Sequence, residues 1–365
     1  MDSPAPPPPP APLPGRGARV NPPNRFDRIA LEPDADFAEF DDHGVPIERP
    51  APRTQFFDDA SETILTPNDS PDVRAAWGLN PYRGCEHGCA YCFARPYHDY
   101  LGFSSGLDFE TKIMVKRRAP DLLRRELAGR RWQPDTVMMC GATDPYQPAE
   151  RRFRLTRACL EVFADFRNPV ALITKNFLIT RDLDVLAELA RWHCVSVTIS
   201  VTTLDAALAG RLEPRAARPE HRLRAIRLLA DAGVPVAVNV APVIPGLTDH
   251  ELPAILEAAR DAGATRANYI VLRLPHSVKD LFLDWLDAHE PGKKARVIDR
   301  VRELRGGQLY DADFATRGRG QGPHAEQLRQ LFAVTTRRLG LAHGWPTLAT
   351  EHFRRRTADG QLDLL

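Results

Sequence analysis

Three cysteines, Cys85, Cys89 and Cys92, stand close together in the sequence with the spacing C-x3-C-x2-C. Three thiolates on one loop can bind three corners of an iron–sulfur cubane, and Gly84 and Gly88 give that loop the backbone freedom to fold around it. Such clusters are normally held by four thiolates, and no fourth cysteine lies nearby. One iron would therefore lack a protein ligand, and an open coordination position is where a metal site does chemistry.

A zinc site is the alternative reading of the same thiolates. The remaining ligand would be His87, His98 or a distant residue. Zinc motifs usually pair two close ligands with a second close pair, and the sequence offers no second pair. The other cysteines are scattered: we interpret Cys159, in a helical pattern, and Cys194, at the start of a strand, as core residues.

A strand–helix rhythm begins near residue 78 and must position this loop. The predicted strands start near residue 80 and then cover 135–140, 170–174, 195–201, 234–243 and 267–274. The predicted helices cover 154–167, 181–192, 219–232, 248–262, 279–289 and 294–305. Repeated strand–helix units predict a parallel sheet with right-handed crossovers.

About six such units are too few for a closed eight-fold barrel. The periodicity leaves open whether the sheet is a partial barrel or doubly wound. In both architectures the chemistry lies at the C-terminal ends of the strands. At the helix starts, Thr180 is a candidate N-cap, and Thr248-x-x-Glu251 reads as a capping box.

The chain is expected to have four regions. These are a proline-rich disordered tail (1–25), an irregular N-terminal extension (26–77), an α/β core (78–290) and a helical C-terminal extension (291–365). The tail favours extended polyproline geometry, which cannot form a core.

Composition limits the partners and the compartment. The 49 basic and 48 acidic residues give no overall positive charge that would attract nucleic acid or an anionic membrane. The total charge does not exclude a local basic groove. Six cysteines are too few for a secreted disulfide scaffold of this length. No apolar run approaches ~18–20 residues, and the N-terminus lacks signal-peptide features. We therefore expect a cytoplasmic protein with no membrane partner.

The cysteine spacing, with the aromatic Tyr91 before the last cysteine, resembles the signature of radical S-adenosylmethionine (SAM) enzymes. The resemblance covers about residues 78 to 275 and is closest to a bacterial group similar to spore photoproduct lyase. The shared motifs are NPYRGCEHGCAYCFARP (80–96), GLDFETKI (106–113), TDPYQPAE (143–150) and RGRGQGPHAEQL (317–328). It implies a partial (β/α)6 barrel, a 4Fe-4S cluster on the three cysteines, and SAM bound to the open iron. It also implies reductive cleavage of SAM to a 5′-deoxyadenosyl radical, with a reductant such as flavodoxin or ferredoxin.

The resemblance assigns SAM contacts to six residues at or near strand ends: Tyr91, Thr143, Asp144, Lys175, Ser200 and Asn239. Tyr91 would pack near the adenine, while Thr143 and Asp144 would meet the SAM amino group. Lys175 would meet the SAM carboxylate, and Ser200, with Thr202, the ribose. Asn239 would lie on the adenine-binding strand. Each also has a structural reading, as a turn former, a strand-end residue or a partner for backbone.

The substrate stays open at this level. Cys140 resembles the hydrogen-atom-donating cysteine of spore photoproduct lyase only loosely, and a buried strand-end residue is the alternative. Arg317 and Arg319, between glycines, suit phosphates or a flexible polar loop equally. Glu213, Arg215 and Arg218 precede a helix near the strand bearing Ser200 and suit SAM binding or a solvated helix start. A nucleic-acid substrate leads, a protein or peptide comes second, and a non-catalytic zinc or iron–sulfur module that binds nucleic acid is the rival class.

Overall fold

The computed structural model describes residues 11–27, 52–72 and 75–355. Much of the predicted tail and N-terminal extension, and the last ten residues of the C-terminal extension, lie outside the described residues. The boundaries predicted for the four regions stay predictions. In the described part of the chain, no helix combines the length and the apolar character needed to cross a membrane.

Within the described residues, the main sheet contains eight strands. They are β2 (Leu65–Pro67), β3 (Trp77–Leu79), β6 (Val137–Met139), β7 (Val170–Thr174), β8 (Val195–Val201), β9 (Val236–Val243), β10 (Arg266–Val271) and β11 (Ala342–His343). Their order is β11-β10-β9-β8-β7-β6-β3-β2. All neighbours from β3 to β11 pair in parallel, whereas β2 pairs antiparallel with β3 at one edge. The sheet is open, and the predicted partial barrel is confirmed.

Helices connect the parallel strands. They are α1 (Leu107–Thr111), α2 (Ala119–Ala128), α3 (Glu150–Phe153), α4 (Leu155–Phe166), α5 (Leu183–Arg191), α6 (Ala206–Leu212), α7 (Pro219–Asp231), α8 (Leu252–Asp261), α9 (Val278–His289), α10 (Lys294–Glu303) and α11 (Gly322–Leu339). Short 3₁₀ helices cover Arg95–Leu101, Phe177–Asp182, Asp249–Glu251 and Pro291–Lys293. The predicted strands and helices of the core match these bounds within a few residues at each end.

Alternation along β8 separates two faces of the sheet. Its apolar side chains belong to the main core with the helices: Val195, Val197, Ile199 and Val201. Its hydroxyl side chains, Ser196, Thr198 and Ser200, point to the opposite face, and Thr202 directly follows the strand. All seven residues of β8 are buried. The part of the inner face that β8 forms is therefore polar, as a site that binds a polar cofactor requires.

A second, smaller sheet flanks the cysteine loop in the sequence, since one of its strands directly precedes the loop. It contains β1 (Gln55–Asp58), β5 (Lys112–Val115) and β4 (Tyr82–Arg83), in the order β1-β5-β4. β1 and β2 both fall within the stretch 26–77, which sequence reasoning read as irregular. β1 pairs with β5, in another part of the chain, so no local pattern predicts it. β2 pairs antiparallel with β3 across residues 68–76, a local pairing that the sequence analysis missed.

Residues 16–24, here named the N-terminal strap, pack directly on the cysteine loop. The backbone amides of Gly17 and Ala18 donate to the two carboxylate oxygens of Glu110, at 3.1 and 2.9 Å. Glu110 is fully buried and also pairs with Arg95. A Cβ on Gly17 would lie 1.6 Å from the carbonyl oxygen of Gly88. Only glycine therefore allows the strap to come this close to the loop.

Two predicted helix caps are wrong. Thr180 lies inside a 3₁₀ helix, and the cap there is Asn176, whose side chain accepts from the amide of Leu178. The Thr248 hydroxyl accepts from the amide of Ile244 at 3.0 Å. The carboxylate of Glu251 accepts from the hydroxyl of Thr203 and the amide of Leu204. Hydrogen bonds to neighbouring loops have replaced the local capping bonds.

Candidate cofactor site

The cysteine loop directly follows β4, which itself comes just after β3. Because β3 is a strand of the main sheet, the loop lies at the C-terminal edge of that sheet. Gly84 and Gly88 have φ values of 78° and 67°, in the left-handed region that favours glycine. The amide of Cys85 donates to Phe109 O at 2.9 Å, and that of Cys92 donates to Cys89 O at 3.2 Å. Cys85 and Cys89 are buried, and Cys92 is half-buried. The loop is thus held by backbone hydrogen bonds, leaving its thiols free for ligation.

The electrostatics of the three thiols fit a cationic group. Burial and the neighbouring Cys85 raise the pKa of Cys92 to about 11. Burial, with Glu213 and Cys92, raises the pKa of Cys89 well above its usual value. Three thiolates can coexist here only with a strong positive partner, which the irons of a cluster supply. Among the described residues, no group of three or more His, Cys, Asp or Glu side chains is arranged to hold a single metal ion.

A buried ion-pair network lies beside this loop. Glu213, at the end of α6, pairs with Arg222 of α7, and both side chains are almost fully buried. The Tyr91 hydroxyl donates to Glu213 and lies 3.1 Å from the Thr202 hydroxyl oxygen. Burial would raise the pKa of Glu213, but Arg222 and Lys175 outweigh it and lower the pKa to about 2. Glu213 is therefore a carboxylate that fixes Tyr91 in place.

Lys175, directly after β7, joins the same network. Its Nζ donates to Ala241 O at 2.8 Å and lies 3.6 Å from a carboxylate oxygen of Glu213. It also stands 5.9 Å from the centre of the Tyr91 ring. Lys175 keeps 16% of its side chain exposed. It therefore presents a positive charge at the strand ends, next to the aromatic ring of the cysteine loop.

Asp144 supports the backbone of Lys175. One carboxylate oxygen accepts from the Lys175 amide at 2.8 Å, and the other accepts from the Thr174 hydroxyl at 2.7 Å. His87 Nδ1 lies 3.4 Å away. Burial opposes ionisation, but His87 and these donors hold the pKa of Asp144 below its usual range. Most of its acceptor capacity is used within the protein.

Thr143 contacts the cysteine loop. Its hydroxyl donates to Gly84 O at 2.7 Å and accepts from Gln147 Nε2 at 2.7 Å. Gln147 also accepts from the amide of Glu86. Sequence reasoning missed Gln147, although it stands in the motif TDPYQPAE. The contacts predicted for Thr143 and Asp144 with SAM stay predictions, and the structure gives both residues a role in holding the loop and strand ends.

Ser200 and Asn239 are partners in the register of β8 and β9. Both are buried. The Asn239 Oδ1 atom makes no hydrogen bond to any described residue, and an unsatisfied buried acceptor costs about 1–3 kcal/mol. A cavity of about 20 Å³ borders Asn239, Asn268 and Trp345, which is room for about one water molecule. Asn239 thus offers an open acceptor on the inner face of the barrel.

Cys140 follows β6 and packs against Met138, Ala171 and Ile173 on the inner face. Burial and the nearby Asp144 raise its pKa to about 12, so the group is a thiol at neutral pH. Cys159 and Cys194 are fully buried and belong to the main core, as expected.

The arginines singled out in the sequence differ in their contacts. Arg215 pairs with Glu86 of the cysteine loop at 2.9 Å. The Arg218 side chain makes no capping hydrogen bond at the start of α7. Arg319 donates to Tyr269 O and Asn268 Oδ1 and lies over the Tyr269 ring. Arg319 is therefore bound to β10, whereas Arg317 pairs with Asp72.

Comparison with known proteins identifies the family. The model of the radical SAM superfamily matches residues 79–259, which carry the three cysteines and the strands β4 to β9. The chain belongs to the radical SAM superfamily. The cofactors of this superfamily are a 4Fe-4S cluster and SAM, and the three neighbouring thiols and the polar inner face fit them.

Relatives of this radical SAM protein occur in bacteria and archaea. Uncharacterized proteins of Mycobacterium tuberculosis and Mycobacterium bovis are 39% identical over 228 residues, which is 62% of this chain and 66% of theirs. The chain thus spans just under two thirds of the length of these relatives. An uncharacterized protein of Methanocaldococcus jannaschii is 28% identical over 178 residues, 48% of this chain and 64% of its own.

Solved structures support the fold. Spore photoproduct lyase matches with a TM-score of 0.54 and 14% identity over 80% of this chain and 82% of that chain. A structure of that lyase with bound AdoMet and dinucleoside spore photoproduct matches with a TM-score of 0.53. At this identity the likeness concerns the fold alone.

Proposed function

We propose that the chain cleaves SAM reductively on a 4Fe-4S cluster held by Cys85, Cys89 and Cys92. The observation that carries the proposal is the convergence of three neighbouring thiols, two buried and one half-buried, with the Tyr91–Glu213–Lys175 network at the C-terminal edge of one parallel sheet. When bound, the cluster and SAM supply an electron and a 5′-deoxyadenosyl radical that takes a hydrogen atom from the substrate, with methionine released. The electron comes from a reductant of the flavodoxin or ferredoxin class.

The residues of the chain bind and orient SAM in this proposal. The Lys175 ammonium group meets the SAM carboxylate, and a compact point charge suits that task. Tyr91, fixed by Glu213 and Thr202, packs against the adenine. The Ser200 hydroxyl forms a hydrogen bond with a ribose hydroxyl, and Asn239 Oδ1 accepts a hydrogen bond from an adenine N–H. Asp144 and Thr143 fix the strand end and loop around the SAM amino group.

The substrate proposed is a nucleic acid. A lyase of the same fold is described with a bound dinucleoside photoproduct, and Cys140 presents a thiol on the inner face. The thiol of Cys140 would return a hydrogen atom to the substrate radical and become a thiyl radical, which one electron from the same class of reductant and one proton would convert back to the thiol. Cys140→Ser should then keep the cluster and SAM cleavage but change the product.

The test begins with the cluster. Anaerobically reconstituted protein should carry about four irons and absorb near ~400 nm, and with dithionite it should form 5′-deoxyadenosine. Cys89→Ser should lose both, while Cys140→Ser serves as a matched cysteine control that keeps both. Protein that holds its cluster but never forms 5′-deoxyadenosine would contradict the proposal.

The rival proposal is a non-catalytic zinc module on the same thiols. Zinc without iron or sulfide after anaerobic purification would favour it. Under this rival, Cys89→Ser should chiefly destabilise the loop, and added dithionite and SAM should give no product.

A further inference from the structure

A second polar surface lies at the same edge of the sheet, past β10. Arg273 stands two residues after β10, and the amide of Val271 donates to Gly318 O at 3.0 Å. Arg305 donates to Leu272 O and to Arg317 O, both at 2.8 Å. These hydrogen bonds fix the backbones that carry Arg273 and Arg317. Both arginines are therefore held side by side at the C-terminal ends of the strands.

The two guanidinium groups meet on one carboxylate oxygen. Arg317 donates to Asp72 Oδ2 through Nε at 2.9 Å and Nη2 at 2.5 Å, and Arg273 donates to the same atom at 3.3 Å. The Ser70 hydroxyl oxygen accepts from Arg317 at 3.2 Å. Asp72 lies on a separate segment and is partly exposed. A single oxygen that receives three N–H donors occupies the place that a phosphate oxygen would take.

Each arginine also lies over an exposed aromatic ring. Arg273 stands 5.0 Å from the centre of the Phe93 ring, and Arg317 stands 3.6 Å from that of Phe314. Phe93 is 42% exposed and Phe314 is 50% exposed. Phe93 directly follows the cluster cysteine Cys92. Exposed rings beside guanidinium groups are the usual platform on which unpaired bases stack.

Two further acids lie nearby in sequence, and no ion pair joins them to Arg273 or Arg317 in the described part of the chain. The carboxylates of Asp311 and Asp313 accept from the Thr316 hydroxyl and the Ala315 amide within their own turn. The Nε atom of Arg273 is buried and makes no hydrogen bond to any part of the chain that the structure describes. One buried donor of Arg273 therefore has no partner while Asp72 occupies the site.

We propose that Arg273 and Arg317 bind a backbone phosphate of a single-stranded nucleic acid, whose neighbouring bases stack on Phe93 and Phe314. Asp72 occupies this phosphate site in the free chain and is displaced when the nucleic acid binds. The inference rests on the proposed function because it takes this edge of the sheet as the substrate side. The alternative role of Asp72 is to fasten residues 68–72 to the core.

The two roles of Asp72 predict opposite effects in one measurement. The probe is a fluorescently labelled single-stranded oligodeoxynucleotide, and anisotropy is measured on the anaerobic protein with its cluster. Asp72→Asn should tighten binding roughly 3- to 10-fold, because the competing charge is gone. Arg317→Gln and Arg273→Gln should each weaken it about 10-fold and reduce its salt dependence. Phe314→Ala should weaken it at least about 5-fold.

Arg300→Gln is the matched control. Arg300 lies on α10, and its ion-pair partner among the described residues is Glu303 at the surface, so its loss should leave binding unchanged. Each variant is checked by thermal unfolding, since a misfolded variant says nothing about a phosphate site. Asp72→Asn that weakens binding or leaves it unchanged would overturn the inference. So would equal competition by a polyglutamate peptide, which would show recognition of charge without bases.

The same samples separate this inference from the proposed function. Formation of 5′-deoxyadenosine depends on the cluster and SAM, not on Arg317. Intact SAM cleavage with no nucleic-acid binding would reject the phosphate site alone. Loss of cleavage with binding intact would reject the proposed reaction and keep the surface.

Discussion

Two regions at the same edge of the sheet use charge in different ways. Beside the cysteine loop, Glu213, Arg222 and Tyr91 are buried and bound to one another. Past β10, the Arg273 and Arg317 side chains are 14% and 13% exposed, lie beside exposed rings, and share one acid, 28% exposed, from a separate segment. A fully buried pair is held rigidly because an unpaired charge there is costly. A pair whose acid is partly exposed contributes less to stability. The first region suits a cofactor of fixed shape, and the second suits a ligand that comes and goes.

The largest effect expected comes from breaking the buried pair. Glu213→Ala leaves Arg222 charged and uncompensated and should lower the free energy of unfolding by about 3–5 kcal/mol. Urea denaturation of the cluster-free protein measures it. Glu303→Ala removes an acid from an exposed pair with Arg300 and should cost less than about 1 kcal/mol. Equal costs for the two variants would show that burial does not distinguish the regions.

A double variant sharpens the point. Glu213→Leu with Arg222→Met replaces the pair by apolar groups of similar size, which is often neutral for stability. It should recover most of the loss while Tyr91 loses its acceptor. SAM affinity should then stay weak although the fold is stable.

The second effect is a pH dependence on the buried side. His98 packs between Phe103 and Phe109, and burial lowers its pKa from 6.5 to about 4. The folded state therefore favours the neutral ring. Above pH 6.5 His98 is neutral in both states and does not lower the free energy of unfolding. As the pH falls from 6.5 towards 4, the ring takes up a proton in the unfolded state only, and stability is lost. The loss should reach about 3 kcal/mol. It is read as the difference in unfolding free energy between the wild type and His98→Phe across that window.

A His98→Phe variant that loses stability in parallel with the wild type between pH 6.5 and 4 would contradict this assignment. The acidic groups that both proteins share titrate alike, so they cancel in the difference.

The third effect tests the N-terminal strap. Gly17→Ala places a Cβ against the carbonyl oxygen of Gly88 and should cost about 1–3 kcal/mol of strap packing. Hydrogen exchange at Gly17 and Ala18 should rise while exchange in β8 stays unchanged. Gly210→Ala, with open space around it, is the matched control and should be neutral or stabilising. Unchanged exchange in the strap would mean that the contact with Gly88 is looser than described.

The sequence predicted what depends on local pattern. Runs such as 170–174 and 195–201 are strands because β-branched residues suit a buried parallel sheet, and the cysteine spacing alone indicated a shared loop. The packing of the N-terminal strap on the cysteine loop was not predictable. Gly17 contacts Gly88 and Glu110, which are distant in sequence and come close only when the chain has folded. Thr248 and Glu251 have the pattern of a cap but bind more distant groups. Asp72 carries no local signal that it lies between two arginines from other parts of the chain.

The smallest effect on stability, and the sharpest contrast, comes from Asp72. The Asp72 carboxylate is 28% exposed, so Asp72→Asn should change the free energy of unfolding by no more than about 1 kcal/mol. The same change should tighten oligodeoxynucleotide binding, whereas Glu213→Ala should destabilise the fold and weaken SAM binding. Thermal unfolding and anisotropy on one preparation measure both quantities. A large loss of stability in Asp72→Asn would show that Asp72 fastens residues 68–72 to the core. The two regions would then differ in solvent exposure, and both ion pairs would be structural.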